Sequence, residues 1–190
     1  MTEKQKMLQG LKYDSRDPEL LALYHTARAL MQQYNTLDST ALDTRRQILQ
    51  EMLGEVGQGV WIVAPFFCDY GEFVQIGEGT FVNANGMFMD NNHIRIGANG
   101  LIGPGVHIYT ATHPLKASER IVKTEEGSRY LTASKPVYIG DNVWVGGQVV
   151  ICPGVTIGNN VTIGAGSVVT KDVPDNVLVL GHPAKVVKAL

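Results

Sequence analysis

From Val137 to Lys171 the chain repeats an apolar–x–apolar pattern with a period of six residues. The segment reads V-Y-I-G-D-N, V-W-V-G-G-Q, V-V-I-C-P-G, V-T-I-G-N-N, V-T-I-G-A-G, S-V-V-T-K-D. Aliphatic residues recur at Ile139, Val145, Ile151, Ile157, Ile163 and Val169, with a second series at Val137, Val143, Val149, Val155 and Val161. A period of six is foreign to a helix, yet it contains the two-residue alternation of a strand. Short strands punctuated by Gly, Asn and Asp describe a chain that turns a corner every six residues, the signature of a hexapeptide β-helix. Three such repeats close one triangular coil. The same phase starts earlier at Ile76, Val82 and Phe88, slips by two residues at Asp90-Asn91-Asn92, and resumes at Ile96, Ile102 and Ile108.

The predicted fold class is therefore mainly β: a left-handed parallel β-helix with a small α-helical N-terminal segment and a long loop excursion. Left-handedness opposes the usual crossover preference, so the repeat itself is the warrant. Residues 1–57 carry the helical patterns, and residues 58–190 form the β-helix domain. Glu3 to Gln9 reads as a short helix ended by Gly10. Asp17-Pro18 is a helix start, followed by a broad apolar stripe at Leu20, Leu21, Leu23, Tyr24, Ala27, Leu30, Met31 and Tyr34, with Asn35 as its stop. Ser39 or Thr40 caps a second helix that closes near Gly54. The helical pair is expected to cover the open end of the β-helix, where backbone groups would otherwise lack partners. The polar Tyr13-Asp14-Ser15 turn is set apart from that structural role. Residues 109–136 lose the rhythm and are polar, and regularity returns at Val137. A long excursion thrown out of an intact scaffold reads as a functional insertion or as a tolerated surface excursion, and the residues at its mouth decide between the two.

Composition narrows the function. A net charge of −2 gives no electrostatic reason to expect nucleic acid or an anionic membrane as partner. No apolar run reaches the length of a membrane span, and the polar start MTEKQK does not read as a signal peptide. Two cysteines, Cys68 and Cys152, are too few for a disulfide scaffold, so a cytoplasmic protein is expected. No metal is expected: His93, His107 and His113 do not stack at an eighteen-residue spacing, and no cysteine completes a ligand set.

His113 is the leading candidate for chemistry. It stands in T-A-T-H-P-L at the mouth of the excursion, and Pro114 biases it toward extended backbone. An imidazole there can take a proton from a hydroxyl as it attacks. Asn83 and Asn85 flank Ala84 and are expected to share a side, as ligand contacts or as a corner ladder. Asp14, Asp69 and Asp90 can accept hydrogen bonds from hydroxyls or serve as turn residues.

Several longer motifs fix a resemblance. They are K-x-x-M-x-x-G-x-x-Y-D-x-x-D-P-E-L (Lys4 to Leu20), F-x-C-D-Y-G (Phe66 to Gly71), F-V-N-A-N (Phe81 to Asn85), T-A-T-H-P-L, I-G-D-N-V-W-V-G-G (Ile139 to Gly147), I-G-A-G-S-V-V-T-K-D-V-P (Ile163 to Pro174) and G-H-P-A-K-V (Gly181 to Val186). With these the chain resembles the maltose and galactoside O-acetyltransferases. The resemblance implies acetyl transfer from acetyl-CoA, as co-substrate, to a sugar hydroxyl, in clefts between the subunits of a homotrimer. It makes His113 the catalytic base and Asn83 an assistant at the reacting centre. It makes Asp14, Asp69 and Asn91, with the adjacent Asp90, acceptor contacts. It lays the coenzyme along Trp144, Gly147, Ala165, Thr170 and Lys171, with Lys185 and Lys188 near its phosphates. The chain departs from the family at Asn91, where an acid is common, and at Arg28, where the helix arginine usually stands nearer Tyr24. The tail positions are Lys rather than Arg, and the excursion is longer than in the galactoside enzymes. Two other readings stay open at this point: an acetyl-CoA enzyme with a non-sugar acceptor (serine, an antibiotic or an amino sugar), and a non-enzymatic, partner-binding β-helix.

Overall fold

The computed structural model describes residues 1–125 and 127–190; Glu126, inside the expected excursion, lies outside the described residues. The hexapeptides wind into a triangular solenoid of parallel strands. One face stacks Glu55–Val56, Val74–Ile76, Ile94–Ile96, Val137–Ile139 and Thr156–Ile157. The second stacks Trp61–Ile62, Phe81–Val82, Leu101–Ile102, Trp144–Val145, Thr162–Ile163 and Val177–Gly181, and the third Phe66–Cys68, Gly86–Met89, His107–Tyr109, Val150–Ile151 and Val168–Val169. The first coil starts at Glu55, paired with Gln75, and so precedes both the expected domain start at 58 and the expected phase start at Ile76.

Both aliphatic series point inward. Ile139, Val145, Ile151, Ile157, Ile163 and Val169 are buried, and so are Val137, Val143, Val149, Val155 and Val161. The residue between each pair faces out, as Tyr138 and Trp144 do. Burying each inward Val or Ile stabilises the fold by roughly 1.5–3 kcal/mol. The register survives the excursion, with Ile96 paired to Ile139 as Ile76 is to Ile96.

The corners carry their own ladders. Asn99, Asn142, Asn160 and Asn176 all take left-handed backbone, with φ of 56°, 56°, 54° and 58°. Their side chains link coil to coil: Asn142 Nδ2 donates to Asn160 Oδ1 at 3.0 Å, and Asn160 Nδ2 to Asn176 Oδ1 at 2.9 Å. Asparagine tolerates this conformation and supplies the bond that rewards it. Beside the ladder, a Cβ on Gly140 would lie 2.5 Å from Asn159 Oδ1, so the coils approach too closely there for any side chain. The expected corner ladder thus exists, but on a different edge from Asn83 and Asn85.

The helices are α1 (Glu3–Leu8), α2 (Pro18–Thr36) and α3 (Leu42–Met52). Asp17 caps α2 by accepting from Glu19 N–H, as its sequence position implies. Asn35 does not stop α2. Its carboxamide instead brackets the Phe66 backbone, donating to the carbonyl and accepting from the N–H, each at 2.9 Å. Neither Ser39 nor Thr40 caps α3: Asp38 accepts from Thr40 N–H and Oγ1, and the helix begins after Ala41 without a side-chain cap. The pair covers the open end, with Ala27, Leu30, Met31, Tyr34, Ile48, Leu49 and Met52 packed into the same core as Ile62, Phe66 and Cys68. Among the described residues no helix is long and apolar enough to cross a membrane.

The excursion is ordered structure rather than a plain loop. Strand Ala111–Thr112 leads to a short 3-10 turn at Ala117–Glu119 and then to a hairpin of Ile121–Thr124 against Gly127–Ser134. The second hairpin strand also pairs with Tyr13–Asp14 and with Ala111–Thr112. Its Y-L-T-A-S alternation is a two-residue pattern that a search for period six passes over. Buried Asn92 joins the pieces: its Nδ2 donates to Met7 and Leu8 carbonyls and to Ser134 Oγ, and its N–H donates to Thr110 Oγ1. Tyr13-Asp14-Ser15 is thereby fixed beside His113.

The left-handed ladder can be tested by substitution. Asn160→Ala places a Cβ-bearing residue without local hydrogen bonding at φ 54°, which costs roughly 1–2 kcal/mol, and it also breaks two ladder bonds. Asn160→Gly loses the bonds but relaxes the backbone. Urea unfolding should rank stability wild type, then Gly, then Ala; equal losses would show that the backbone conformation contributes nothing.

Candidate active site

His113 follows strand Ala111–Thr112, whose pairing with Ala133 and Ser134 carries it out of the solenoid to the surface. Its Nδ1 lies 2.9 Å from the Leu131 carbonyl oxygen. A carbonyl can only accept, so Nδ1 carries a proton and the neutral ring bears its lone pair on Nε2. The exposed imidazole opens into a cleft of ≈ 330 Å³ lined by Ser15, Arg120, Ile121, Tyr130 and Thr132. Asp14 lies on the strand beside it, paired with Arg129 at 3.3 Å. Arg16 stacks over the Tyr130 ring.

A second polar cluster occupies the same edge of the solenoid, one and two coils earlier. Asp69 pairs with Arg28 at 3.4 Å, and Arg28 also stacks on Tyr24, so this guanidinium reaches the tyrosine from one helical turn away. Burial lifts the Asp69 carboxyl above its ordinary range, against the lowering effects of Arg28 and Asn91. Asn91 adjoins Tyr13 and Tyr70 as well. Burial, followed by the Asp69 charge, pushes Tyr70 up to about 12. The Tyr13 hydroxyl is buried next to Asn91.

Asp90 does not belong with the acceptor contacts. It has no exposed surface, and its carboxylate accepts the backbone N–H groups of Asp69 and Tyr70 at 2.9 Å and Phe73 at 3.3 Å. It builds the turn that presents Asp69. The two-residue slip in the repeat lies at Asp90 itself, one coil after the turn it supports.

Asn83 stands elsewhere. It lines a groove of ≈ 540 Å³ along the second face, together with Trp144, Gly147 and Ala165, over the outward sides of Phe81, Leu101 and Thr162. Its Oδ1 accepts from Ala84 N–H, which turns its NH2 toward other partners. Asn85, expected on the same side, instead turns the corner at φ 63° and does not line the groove. A Cβ on Gly147 would lie 3.2 Å from the Pro104 carbonyl, so the groove floor is bare backbone. Lys185 and Lys188 extend the same sheet, on a strand Ala184–Ala189 that runs antiparallel to Val177–Gly181. Thr170 and Lys171 are exposed just past Val168–Val169 on the third face, outside the groove lining. One chain therefore separates Asn83 and His113 into two clefts with no lining residue in common.

The three histidines weighed as ligands each have other neighbours. His93 packs edge-on to Phe73, His107 Nδ1 bonds Tyr109 Oη, and His113 bonds Leu131. Cys68 is buried, and burial drives its thiol well above the ordinary range, so it is no nucleophile. Sequence reasoning set Ser15 apart with its turn but missed Arg120 and Tyr130 in the His113 cleft; for Tyr130 the alternation in 127–134 was the available signal.

Comparison with known proteins agrees with this architecture. The family described as "Maltose acetyltransferase hexapeptide capping motif" matches residues 6–57, and "Bacterial transferase hexapeptide (six repeats)" matches residues 136–171. The galactoside O-acetyltransferase of Escherichia coli K12 is 38% identical over 163 residues, covering 86% of this chain and 77% of that enzyme. A crystal structure of a maltose O-acetyltransferase from Clostridium difficile 630 superposes with a TM-score of 0.93 at 42% identity, covering 100% of this chain and 98% of the other. A hexapeptide-repeat acetyltransferase of Vibrio cholerae O1 biovar eltor, complexed with acetyl coenzyme A, gives 0.90 at 38% identity, covering 100% and 99%. The chain belongs to the maltose and galactoside O-acetyltransferase family of hexapeptide-repeat acetyltransferases.

Asp90 gives this corner a pH signature. Burial, the largest influence, raises its carboxyl to about 7, so the folded protein holds a proton that the unfolded chain releases near the ordinary value of 3.8. Stability should fall as pH rises from about 4 through 7, because the native state binds the extra proton throughout that window. Asp69 shifts in the same direction. Asp90→Asn cannot ionise, and its urea midpoint should vary less between pH 5 and pH 8 than that of wild type. An unchanged slope would remove Asp90 as the cause.

Proposed function

We propose that the protein transfers the acetyl group of acetyl-CoA to a hydroxyl of a sugar, with His113 as general base. The observation that carries this reading is the His113–Leu131 bond, which leaves Nε2 unprotonated at the mouth of a cleft. In a ternary complex the sugar hydroxyl gives its proton to Nε2 as its oxygen bonds to the thioester carbon. The C–S bond then breaks, and the imidazolium returns the proton to the CoA thiolate. General-base assistance is worth about 10²–10⁴-fold. Asn83 NH2, with backbone N–H groups, stabilises the developing oxyanion, an effect of about 10²–10³-fold per donor.

The groove on the second face suits the coenzyme. Its Gly147 and Ala165 floor admits a pantetheine arm close to the backbone, Trp144 offers a flat apolar wall, and Lys185 and Lys188 supply positive charge for phosphates on the same sheet. Thr170 and Lys171, on the adjoining edge, complete the track. Asp14, Asp69 and Asn91 serve the acceptor, with the buried Tyr13 hydroxyl beside Asn91. Asp90 supports Asp69 from behind.

Because Asn83 and His113 occupy different clefts, the complete site needs two subunits, as in a cyclic homotrimer. The outward rows support such an assembly. The first face presents Glu55, Gln75, Arg95, Tyr138 and Thr156, whereas the second presents Trp61, Phe81, Leu101, Trp144, Thr162 and Leu178 and the third Phe67, Met87, His107, Val150 and Val168. Trp61, Leu101 and Trp144 are about half exposed in the single chain. Two adjoining faces that are mainly apolar, interrupted by Thr162 and His107, and one polar face fit a prism that buries one edge at a three-fold axis.

Thiol release from acetyl-CoA, measured against a panel of sugars, serine, amino sugars and aminoglycosides, tests the acceptor class; turnover only with non-sugars would overturn it. His113→Ala should lose several orders of magnitude in kcat while calorimetry still detects CoA binding, and near-normal turnover would sink the base assignment. Mixing His113→Ala with Ala165→Trp subunits should regain part of the activity that each variant lacks alone. Mixed assemblies that stay inactive would place the whole site in one chain.

A further inference from the structure

We propose that Arg120 is a positioning residue for His113, fixing both the tautomer and the place of its imidazole; the inference rests on His113 acting as the base. Arg120 grips the histidine from two sides. Its side chain donates from Nε to the Pro114 carbonyl at 2.9 Å and from Nη2 to the Leu115 carbonyl at 2.7 Å, the two residues directly after His113. Its main-chain carbonyl accepts from Leu131 N–H at 2.9 Å, and the Leu131 carbonyl is the group that holds His113 Nδ1. The path from His113 through Leu131 and Arg120 back to Pro114 is a closed ring of hydrogen bonds around the histidine.

Packing does not hold this turn in place. Leu115 is 94% exposed, and Pro114 has no N–H to donate. Two carbonyls side by side at a turn call for a planar fork, which a guanidinium provides and an ammonium does not. The Arg120 backbone is set by the 3-10 turn Ala117–Glu119, where its N–H bonds the Ala117 carbonyl. Its side chain lines the His113 cleft, so the fork also forms part of the wall against which an acceptor would lie. Without the fork the Pro114-Leu115 turn can swing, His113 loses its fixed distance to Leu131, and the ring is free to adopt the Nε2–H tautomer that neutral histidine favours in water. That tautomer cannot accept a proton at Nε2.

The test combines kinetics with imidazole ¹⁵N NMR on the full-length protein. Arg120→Ala should lower kcat on the order of 10²-fold, the scale of a small misplacement of a reacting group, and leave KM for acetyl-CoA unchanged. His113 should move from Nδ1–H toward Nε2–H, and added ethylguanidinium should restore part of both signals. Arg120→Lys, which keeps the charge, should fall between wild type and Ala in rate; its spectrum also serves if the Ala variant does not fold. A His113 tautomer unchanged in the variants would overturn the positioning role. So would wild-type kcat in Arg120→Ala when His113→Ala is inactive. A wild-type rate in His113→Ala would instead remove the catalytic reading beneath the proposal, while a shifted tautomer would still support the positioning.

Discussion

Each coil has to bring its inward side chains back over those of the coil below, because the interior of the coils is mostly a stack of Val, Ile and Phe rows. Register is therefore fixed at every face. Ile76, Ile96, Ile139 and Ile157 keep one column although the stretches between them differ greatly in length. Any extra residue must leave the column at a corner and return to it. The solenoid uses one edge for this purpose, where the third face hands over to the first. The Asp69 turn, the Asp90-Asn91-Asn92 slip and the excursion all leave from that edge, on successive coils. Most of the buried polar side chains, Asp90, Asn91, Asn92, Thr110, Thr132 and Ser134, belong to these insertions, because the interior of a regular coil has no room for them.

That edge alone does not make a rigid site. The excursion hairpin is held because its second strand pairs with both Tyr13–Asp14 and Ala111–Thr112, and because Asn92 bonds Met7, Leu8 and Ser134 at once. The N-terminal segment thus has two duties. Helices α2 and α3 cover the first coil, and the strand before them secures the hairpin whose Leu131 carbonyl sets the His113 ring. Rigid strands present the His113 cleft, and bare backbone lines the groove on the neighbouring face.

The periodic part of this architecture was readable from the sequence because its physics is local. An aliphatic residue every six positions leaves few alternatives, and Asp17-Pro18 names a helix start through capping chemistry alone. His113 stood out as the histidine at the break in that rhythm. What escaped depends on contacts distant in sequence. Asn35 looked like a helix stop but is used to bracket Phe66, and Asp90 looked like a hydroxyl acceptor but is filled by three backbone donors. Arg120 carries no motif; its meaning arises only when Pro114, Leu115 and Leu131 come together. The division of Asn83 and His113 between two clefts is likewise a property of the wound chain and has no trace in spacing.

The two ends of the solenoid differ from its middle in a way that bears on solubility. A stack of parallel strands is open-ended by nature: its terminal coils are templates on which another molecule could continue the stack, as in a fibre. At one end α2, Asn35 and Tyr34 occupy the backbone groups of the first coil. At the other, the chain doubles back, so Ala184–Ala189 runs against the direction of every strand beneath it and carries Lys185 and Lys188 on the rim. An incoming parallel coil would meet reversed polarity and like charge. The prism is thereby kept at a finite height, and lateral contact between faces is the growth left open to it.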